Sequence, residues 1–253
     1  MSSPRLYNTQ VIILRRTNYG EADRFLTVFS VDKGKLRLLA KGVRKITSRR
    51  AGHVELFTHA TIQVAKGRNI DILTQADTIE AYAALRNDLL KIGRAYYLTE
   101  LVDKFTQEGD VNEPLFHHLA KTLIRLAESD KKTEMMIIRY FEVHLLRVTG
   151  FQPQLFQCVQ CDTTIKPEKN YFSMVDGGVL CPKCGERNVN AVEMSLAILK
   201  MFRFFQTHSW EQITKLNIKS DTLKGMERFL LQYITFTLEQ KLKSVAFLQQ
   251  LRK

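Results

Sequence analysis

The sequence predicts an α+β chain: a small β-barrel at the N-terminal end, then an all-helical domain interrupted by a cysteine-rich insertion. Three observations lead there. Residues 7–80 fall into short β-branched or apolar runs separated by turn residues. From Asn87 onward the apolar positions recur with a helical period. All four cysteines lie between 158 and 184.

The strand runs are Thr9 to Arg15, Arg24 to Ser30, Lys35 to Ala40, Leu56 to Ala65 and Ile70 to Ala76. Their separators, Asn18-Tyr19-Gly20, Asp32-Lys33-Gly34 and Lys66-Gly67-Arg68-Asn69, each contain a glycine that can take the positive φ of a tight turn. Asp32-Lys33-Gly34 is short enough to make strands two and three antiparallel neighbours. Five strands in so short a stretch describe a five-stranded OB-fold barrel over residues 1–82.

Residues 83–253 form the helical domain. Leu90, Ala95, Leu98, Leu101, Val102 and Phe105 make one apolar stripe. Asn112 with Pro114 starts a second helix running to about Glu128. Thr133, Met135, Ile138, Phe141, Leu145 and Val148 describe a third, stopped by Gly150 and Pro153. After the insertion, at about 155–188, helical spacing resumes over Met194 to His208 and Thr222 to Leu242. No internal repeat and no low-complexity tract occurs.

The chain has 253 residues, with 45% hydrophobic and 25% charged side chains, ordinary values for a globular protein and far from those of disorder. Its formal charge of +12 favours a polyanionic partner, nucleic acid or an anionic surface. The pattern contains neither a signal peptide nor an apolar run of about 18 residues, so a cytoplasmic protein with no membrane span is expected.

Cys158-x2-Cys161 and Cys181-x2-Cys184 are two CxxC knuckles separated by 19 residues. Brought together they supply four thiolates in the tetrahedral set that zinc prefers, and a reducing compartment favours metal over disulfides. Four cysteine ligands leave no open position, so the expected Zn2+ is structural. Redox-active thiols or an unmetallated site are the alternatives. Tyr171, Phe172 and Asp176-Gly177-Gly178 suit a short hairpin over the metal.

Lys33, Lys35, Arg37, Lys41, Arg44, Lys45, Arg49 and Arg50 put eight cations into 18 residues with no acidic side chain among them. Residues 1–85 hold 14 basic and 7 acidic residues, so most of the net charge belongs to the barrel. Cations that displace condensed counterions from phosphates give affinity without sequence preference and a steep salt dependence. The bland alternative is a solvated loop. On an OB barrel nucleic acid crosses strands two and three, with exposed aromatics stacking on bases. Tyr19, Phe25, Phe29 and Phe57 are the aromatics in reach, and alternation sends about half of such side chains inward. Tyr19, beside Gly20, is the one least committed to the core.

Enzyme signatures are absent: no phosphate-binding G-x4-G-K-[ST], no H-E-x-x-H and no paired acidic nuclease motif. His117-His118 lies on a predicted helix that can bury at most one of the two, and Glu21 with Asp23 reads as a turn-stabilising acid pair.

Taken together, Tyr19-Gly20-Glu21-x-Asp23-Arg24, Gly34-Lys35, Ala40-Lys41-Gly42-Val43-Arg44-Lys45 with Ser48-Arg49, and Arg139-Tyr140-Phe141-Glu142 through Leu145-Leu146, Gly150 and Phe151 resemble the RecO family of bacterial recombination mediators. The resemblance covers nearly the whole chain. It implies an OB fold, a helical domain with a zinc module, and binding of single- and double-stranded DNA with annealing of complementary strands. It further implies RecR and the acidic C-terminal tail of the single-stranded DNA-binding protein as partners in loading the RecA recombinase, with the protein associated with the nucleoid. Position near the family's tail-binding helix makes Arg139, Leu146, Arg147 and Phe151 the expected partner-binding residues. Their plain alternative is helix packing, and an adaptor whose DNA contact is secondary is the competing function.

Overall fold

The computed structural model describes residues 5–251. The strands are β1 (Leu6–Tyr19), β2 (Asp23–Ser30), β3 (Gly34–Ala40), β4 (His59–Ala65), β5 (Asp71–Glu80), β6 (Asn170–Ser173), β7 (Gly178–Leu180) and β8 (Val192–Met194). The helices are α1 (Leu89–Phe105), α2 (Glu113–Glu128), α3 (Lys131–Val148), α4 (Pro182–Gly185), α5 (Leu196–Thr207), α6 (Trp210–Ile213), α7 (Ser220–Leu238) and α8 (Lys243–Leu251). They fall into two compact units, one that ends at Ser129 and resumes at Leu242, and one spanning Asp130–Lys241. No helix among the described residues is long and apolar enough to cross a membrane.

In the first unit β1 to β5 close a barrel in the order β1-β2-β3-β5-β4, the OB arrangement that the strand count predicts. Neighbours are antiparallel except β3 and β5, which run parallel at Leu38 and Leu39 against Asp71 and Ile72. Alternation fills the lumen with Val11, Ile13, Leu26, Val28, Leu38, Ala60, Ile62, Val64 and Leu73.

β1 is longer than its apolar run suggests, because an irregularity between Ile13 and Arg15 bends it. Its first half pairs with β4 and the remainder with β2. The run Val11-Ile12-Ile13-Leu14 is buried throughout, lumen on one face and helix on the other. The β2–β3 hairpin turns where expected. Gly34 has φ +67°, and a Cβ there would run into the Asp110 backbone, so only glycine fits.

β4 starts at His59 rather than Leu56, since Phe57 takes φ 70° after a 3-10 turn at Gly52–Val54. β5 extends past Ala76 to Glu80.

α1, α2 and α8 complete this unit. Asp88 caps α1 by accepting from the N–H groups of Leu90 and Lys91, and Asn112 caps α2 ahead of Pro114. Phe116 of α2 packs on Phe29 and His59, and Tyr96 of α1 on Phe57 and Phe247.

The helix expected over Thr222 to Leu242 forms as α7 but ends four residues early, and a further helix, α8, follows beyond the expected span. α7 stops at Leu238, Glu239 turns left-handed at φ 53°, and α8 begins with the Lys243 and Ser244 N–H groups donating to the Glu100 carboxylate at 2.9 and 2.8 Å. Apolar spacing runs through this break, so periodicity does not register it.

In the second unit α3, α5 and α7 pack together. The expected hairpin forms as β6 and β7, and β8 joins the far edge of β6 as a third strand that the pattern did not indicate. Phe172 of β6 meets Phe229 and Tyr233 of α7 edge-on at 4.8 and 5.4 Å between centroids. This contact seats the cysteine module on the helices. Arg203 of α5 donates to the Leu155 carbonyl at 2.9 and 2.6 Å, and Tyr233 to that of Phe151 at 3.2 Å.

Candidate nucleic-acid interface and metal centre

The basic segment spans β3 and the following loop. Arg37 on β3 and Lys41, Arg44, Lys45 and Arg49 in the loop are exposed. Internal bonds hold the loop. The Gly42 N–H donates to Asp23 Oδ1 at 2.7 Å, the Arg44 N–H to the Ala22 carbonyl at 2.9 Å, and the Arg44 guanidinium to the Gly20 carbonyl at 3.1 Å. Asp23 is thus a loop fastener, as the turn reading expects.

Two of the expected cations are committed inside the protein. Arg50 clamps the loop to the barrel by donating to the Leu73 and Lys41 carbonyls at 2.6 and 2.7 Å. Lys35 has a side chain only 13% exposed and pairs with Asp103 at 3.2 Å. Its Nζ donates to the Asp103 and Thr106 carbonyls, both at 2.5 Å, which satisfies the C-terminal end of α1.

The exposed cations adjoin an aromatic ladder. The Tyr19 and Phe25 rings lie 4.7 Å apart, tilted by 51°, and the Arg37 guanidinium sits over the Phe25 ring, 4.7 Å from its centroid. The register explains this, since Phe25 pairs with Thr17 and Leu39 and so lies diagonally between Tyr19 and Arg37. Tyr19 is exposed and Phe25 half-buried, while Phe29 and Phe57 are buried. Phe29 has the parity of Phe25 and is lost to the surface because α2 covers that end of the strand. Loop cations and the tilted Tyr19–Phe25 ring pair therefore adjoin on the barrel, joined where Arg44 meets Gly20.

In the second unit the Cys158, Cys161, Cys181 and Cys184 sulfurs all lie within 4.8 Å of one another. Cys161 Sγ and Cys181 Sγ are 3.8 Å apart, and a tetrahedron of ~2.3 Å metal–sulfur bonds has edges of ~3.8 Å. The set can hold a tetrahedral metal ion. Each knuckle turns back on itself, Asp162 N–H to the Cys158 carbonyl at 2.9 Å and Gly185 N–H to that of Cys181 at 2.8 Å. A Cβ at Gly185 would strike the Tyr171 ring, so the second knuckle needs glycine there. Hydrogen bonds from the Thr163 side chain and backbone hold the Cys161 thiol down at about 6, which makes it a ready thiolate. Burial, with the neighbouring sulfurs, pushes Cys184 up to about 12. Among the described residues this is the one grouping of His, Cys, Asp or Glu arranged for a metal. His117 instead faces Glu113 on its own helix at 3.4 Å.

The four residues expected to bind a partner divide by exposure. Arg139 is 5% exposed and pairs with Glu142 at 2.9 Å, and Leu146 is fully buried. Arg147 and Phe151 are exposed, the latter at 44%. A helical stripe gives the spacing of α3 but does not say how many of its faces are covered.

Sequence reasoning passed over Ile46, fully exposed within the basic loop, and Ser48, whose hydroxyl faces inward. An isolated apolar residue in a charged run was the available signal.

Two family models match. The one described as "Recombination protein O N terminal" covers residues 1–82, and "Recombination protein O C terminal" covers 86–246. Proteins named DNA repair protein RecO are similar along the whole length. That of Roseiflexus sp. (strain RS-1) is 40% identical over 249 residues, 98% of this chain and 87% of the relative. That of Dehalococcoides mccartyi (strain ATCC BAA-2100 / JCM 16839 / KCTC 5957 / BAV1) is 34% identical over 252 residues, 100% and 98%. That of Halalkalibacterium halodurans is 30% identical over 245 residues, 97% and 95%. An OB barrel, the helices that follow it and a four-thiol module, together with matches that span both halves, make this chain a member of the RecO family of DNA repair proteins.

Proposed function

We propose that the chain is a non-enzymatic, cytoplasmic DNA-binding mediator of the RecF pathway, acting at the nucleoid. It anneals complementary strands and helps load RecA on DNA coated with single-stranded DNA-binding protein. Residues 1–82 are the nucleic-acid-binding domain and 83–253 the helical domain, with the zinc insertion at about 155–188. The observation that carries this is the continuity of exposed Arg37, Lys41, Arg44, Lys45 and Arg49 with the Tyr19–Phe25 ring pair. Annealing requires phosphate repulsion to be screened while bases stay available, and a shallow cationic face with stacking rings does both without reading sequence. Lys35 and Arg50 serve by fixing that face in place.

The four cysteines hold Zn2+ as a structural ion. Thiolate ligands fill the coordination sphere, and the ion ties the two knuckles together beneath the β6–β7 hairpin.

An adaptor role is the second reading, favoured by exposed Arg147 in the last turn of α3 and exposed Phe151 three residues beyond its end. An apolar side chain close in sequence to a cation suits an acidic, apolar-ended peptide such as the tail of the single-stranded DNA-binding protein. Leu146 underlies this pair, Arg139 supports the helix from within, and RecR is the other protein partner. Titration of labelled single- and double-stranded DNA over a salt series, with and without the tail peptide, tests both. Salt-sensitive DNA binding supports the first, and peptide binding lost in Phe151→Ala with DNA binding intact supports the second. No DNA binding at low salt refutes the mediator reading.

A further inference from the structure

The loop after β3 has an apolar side chain at its tip that does nothing for the fold. Ile46 is fully exposed, the most exposed large apolar residue described, in a segment that otherwise presents Lys41, Arg44, Lys45 and Arg49. Burying an isoleucine is favourable, and none of that gain is realised within the folded chain.

The tip is also pre-shaped. The Ser48 N–H donates to the Lys45 carbonyl at 2.9 Å, closing a tight turn with Ile46 and Thr47 at its centre. The Lys45 N–H donates to the Gly42 carbonyl at 3.2 Å, and Arg50 and Asp23 pin the two ends of the loop. Ile46 is therefore held out on a braced support.

At the tip lies an open cleft of about 560 Å³ lined by Lys41, Lys45, Thr47 and Arg49, with the loop-fastening Asp23 and Arg50 also in its wall. The Ser48 hydroxyl oxygen is buried and has no hydrogen-bond partner among the described residues. The free cations Lys41, Lys45 and Arg49 suit a phosphate, Asp23 being engaged by the Gly42 N–H and the Ser48 hydroxyl lying too deep to reach it.

We propose that Ile46 is a wedge that inserts between adjacent bases of a DNA strand while Lys41, Lys45 and Arg49 hold the flanking phosphate. This deepens the DNA-binding reading above and rests on it. Apolar side chains inserted at base steps unstack them, and a braced loop meets little of its ordering cost on binding. A strand opened at this point presents separated bases for pairing, which is what annealing needs. The same chemistry, an apolar tip in a cationic collar, could also meet an anionic lipid surface. The exposed Tyr19 ring, paired with Phe25, favours nucleic acid.

The test uses the full chain and a single-stranded oligonucleotide carrying 2-aminopurine, whose fluorescence rises on unstacking. Wild-type protein is expected to raise the signal on binding. Ile46→Ser is expected to lose most of that rise and bind about tenfold more weakly, ~1.4 kcal/mol, with an unchanged salt slope. Ile46→Leu is expected to keep both. Lys45→Ala is expected to lower the salt slope by ~0.7 while keeping the rise at saturation. If wild type binds and Ile46→Ser matches it in affinity and signal, the wedge is wrong and the interface stands. If wild type does not bind, the interface itself is wrong. Ile46-dependent capture of phosphatidylglycerol vesicles, with the DNA signal unchanged in Ile46→Ser, overturns the proposal in favour of a membrane contact.

Discussion

The replacement of Lys41, Arg44 and Lys45 together by alanine separates phosphate contact from scaffolding. All three side chains are exposed, and only Arg44 makes a hydrogen bond through its side-chain head, to a surface carbonyl. The change should therefore leave folding almost intact. Arg37, Lys41, Arg44, Lys45 and Arg49 are the cations of the segment left to meet phosphates, Lys35 and Arg50 being bound internally and Lys33 paired with Asp32 at 3.2 Å. With one phosphate neutralised by each, log affinity for a single strand falls against log salt with a slope of about −3.5 from this segment, and the triple variant retains about −1.4. Between 50 and 200 mM salt the wild-type segment thus loses roughly 100-fold in affinity and the variant roughly sevenfold. Fluorescence anisotropy of a labelled oligonucleotide over four or five salt concentrations reads the slope, with thermal melting as the control. A slope reduced by less than ~0.5 in a variant that melts like wild type would falsify the assignment of these side chains to phosphate.

Lys35→Ala should behave in the opposite manner. It strips charge-assisted hydrogen bonds from the end of α1, so a loss of about 2 kcal/mol and a fall in Tm of roughly 4–8 °C are expected, with little change in salt slope. An unaltered Tm with weakened DNA binding would return Lys35 to the interface. Loss of the metal ion, by chelation or by Cys158→Ser, should unfold the 155–188 module and free Phe172 from α7. Metal analysis at one ion per chain, four thiolate ligands in the cobalt spectrum and a lowered melting transition are the expected results, and native protein with rapidly reacting thiols and no bound metal is the contrary one. At α1, the Lys91 N–H, ahead of that of Leu90, holds the Asp88 carboxyl below its ordinary value. The stability it contributes is present above the unfolded value of about 3.9 and is lost as pH falls through the lower folded one. Asp88→Ala should remove about 1 kcal/mol at neutral pH and flatten the acid limb of the stability curve there, measured by urea melts at several pH values.

Much of this molecule could be read from residue order. Strand count and turn glycines determine a small barrel, because alternation and positive φ are local properties. The CxxC spacing determines a four-thiol site, because each knuckle is built from consecutive residues and two of them suffice. The density of cations at 33–50 determines a cationic surface segment, since charge that dense has no place in a core. What tertiary structure alone decided is which side chains of a pattern remain on the surface. Phe25 and Phe29 share a parity and differ only because α2 covers one of them. Lys35 and Arg37 lie two residues apart on β3, yet one satisfies the end of a helix and the other stacks on a ring. Arg139 and Arg147 lie on one helix, the first buried against Glu142 and the second in solvent. For Phe29 and Lys35 the deciding contact comes from an element distant in sequence, whereas Arg139 meets Glu142 on its own helix. Local pattern sets the direction of a side chain from the backbone, and only the packed chain determines what it meets.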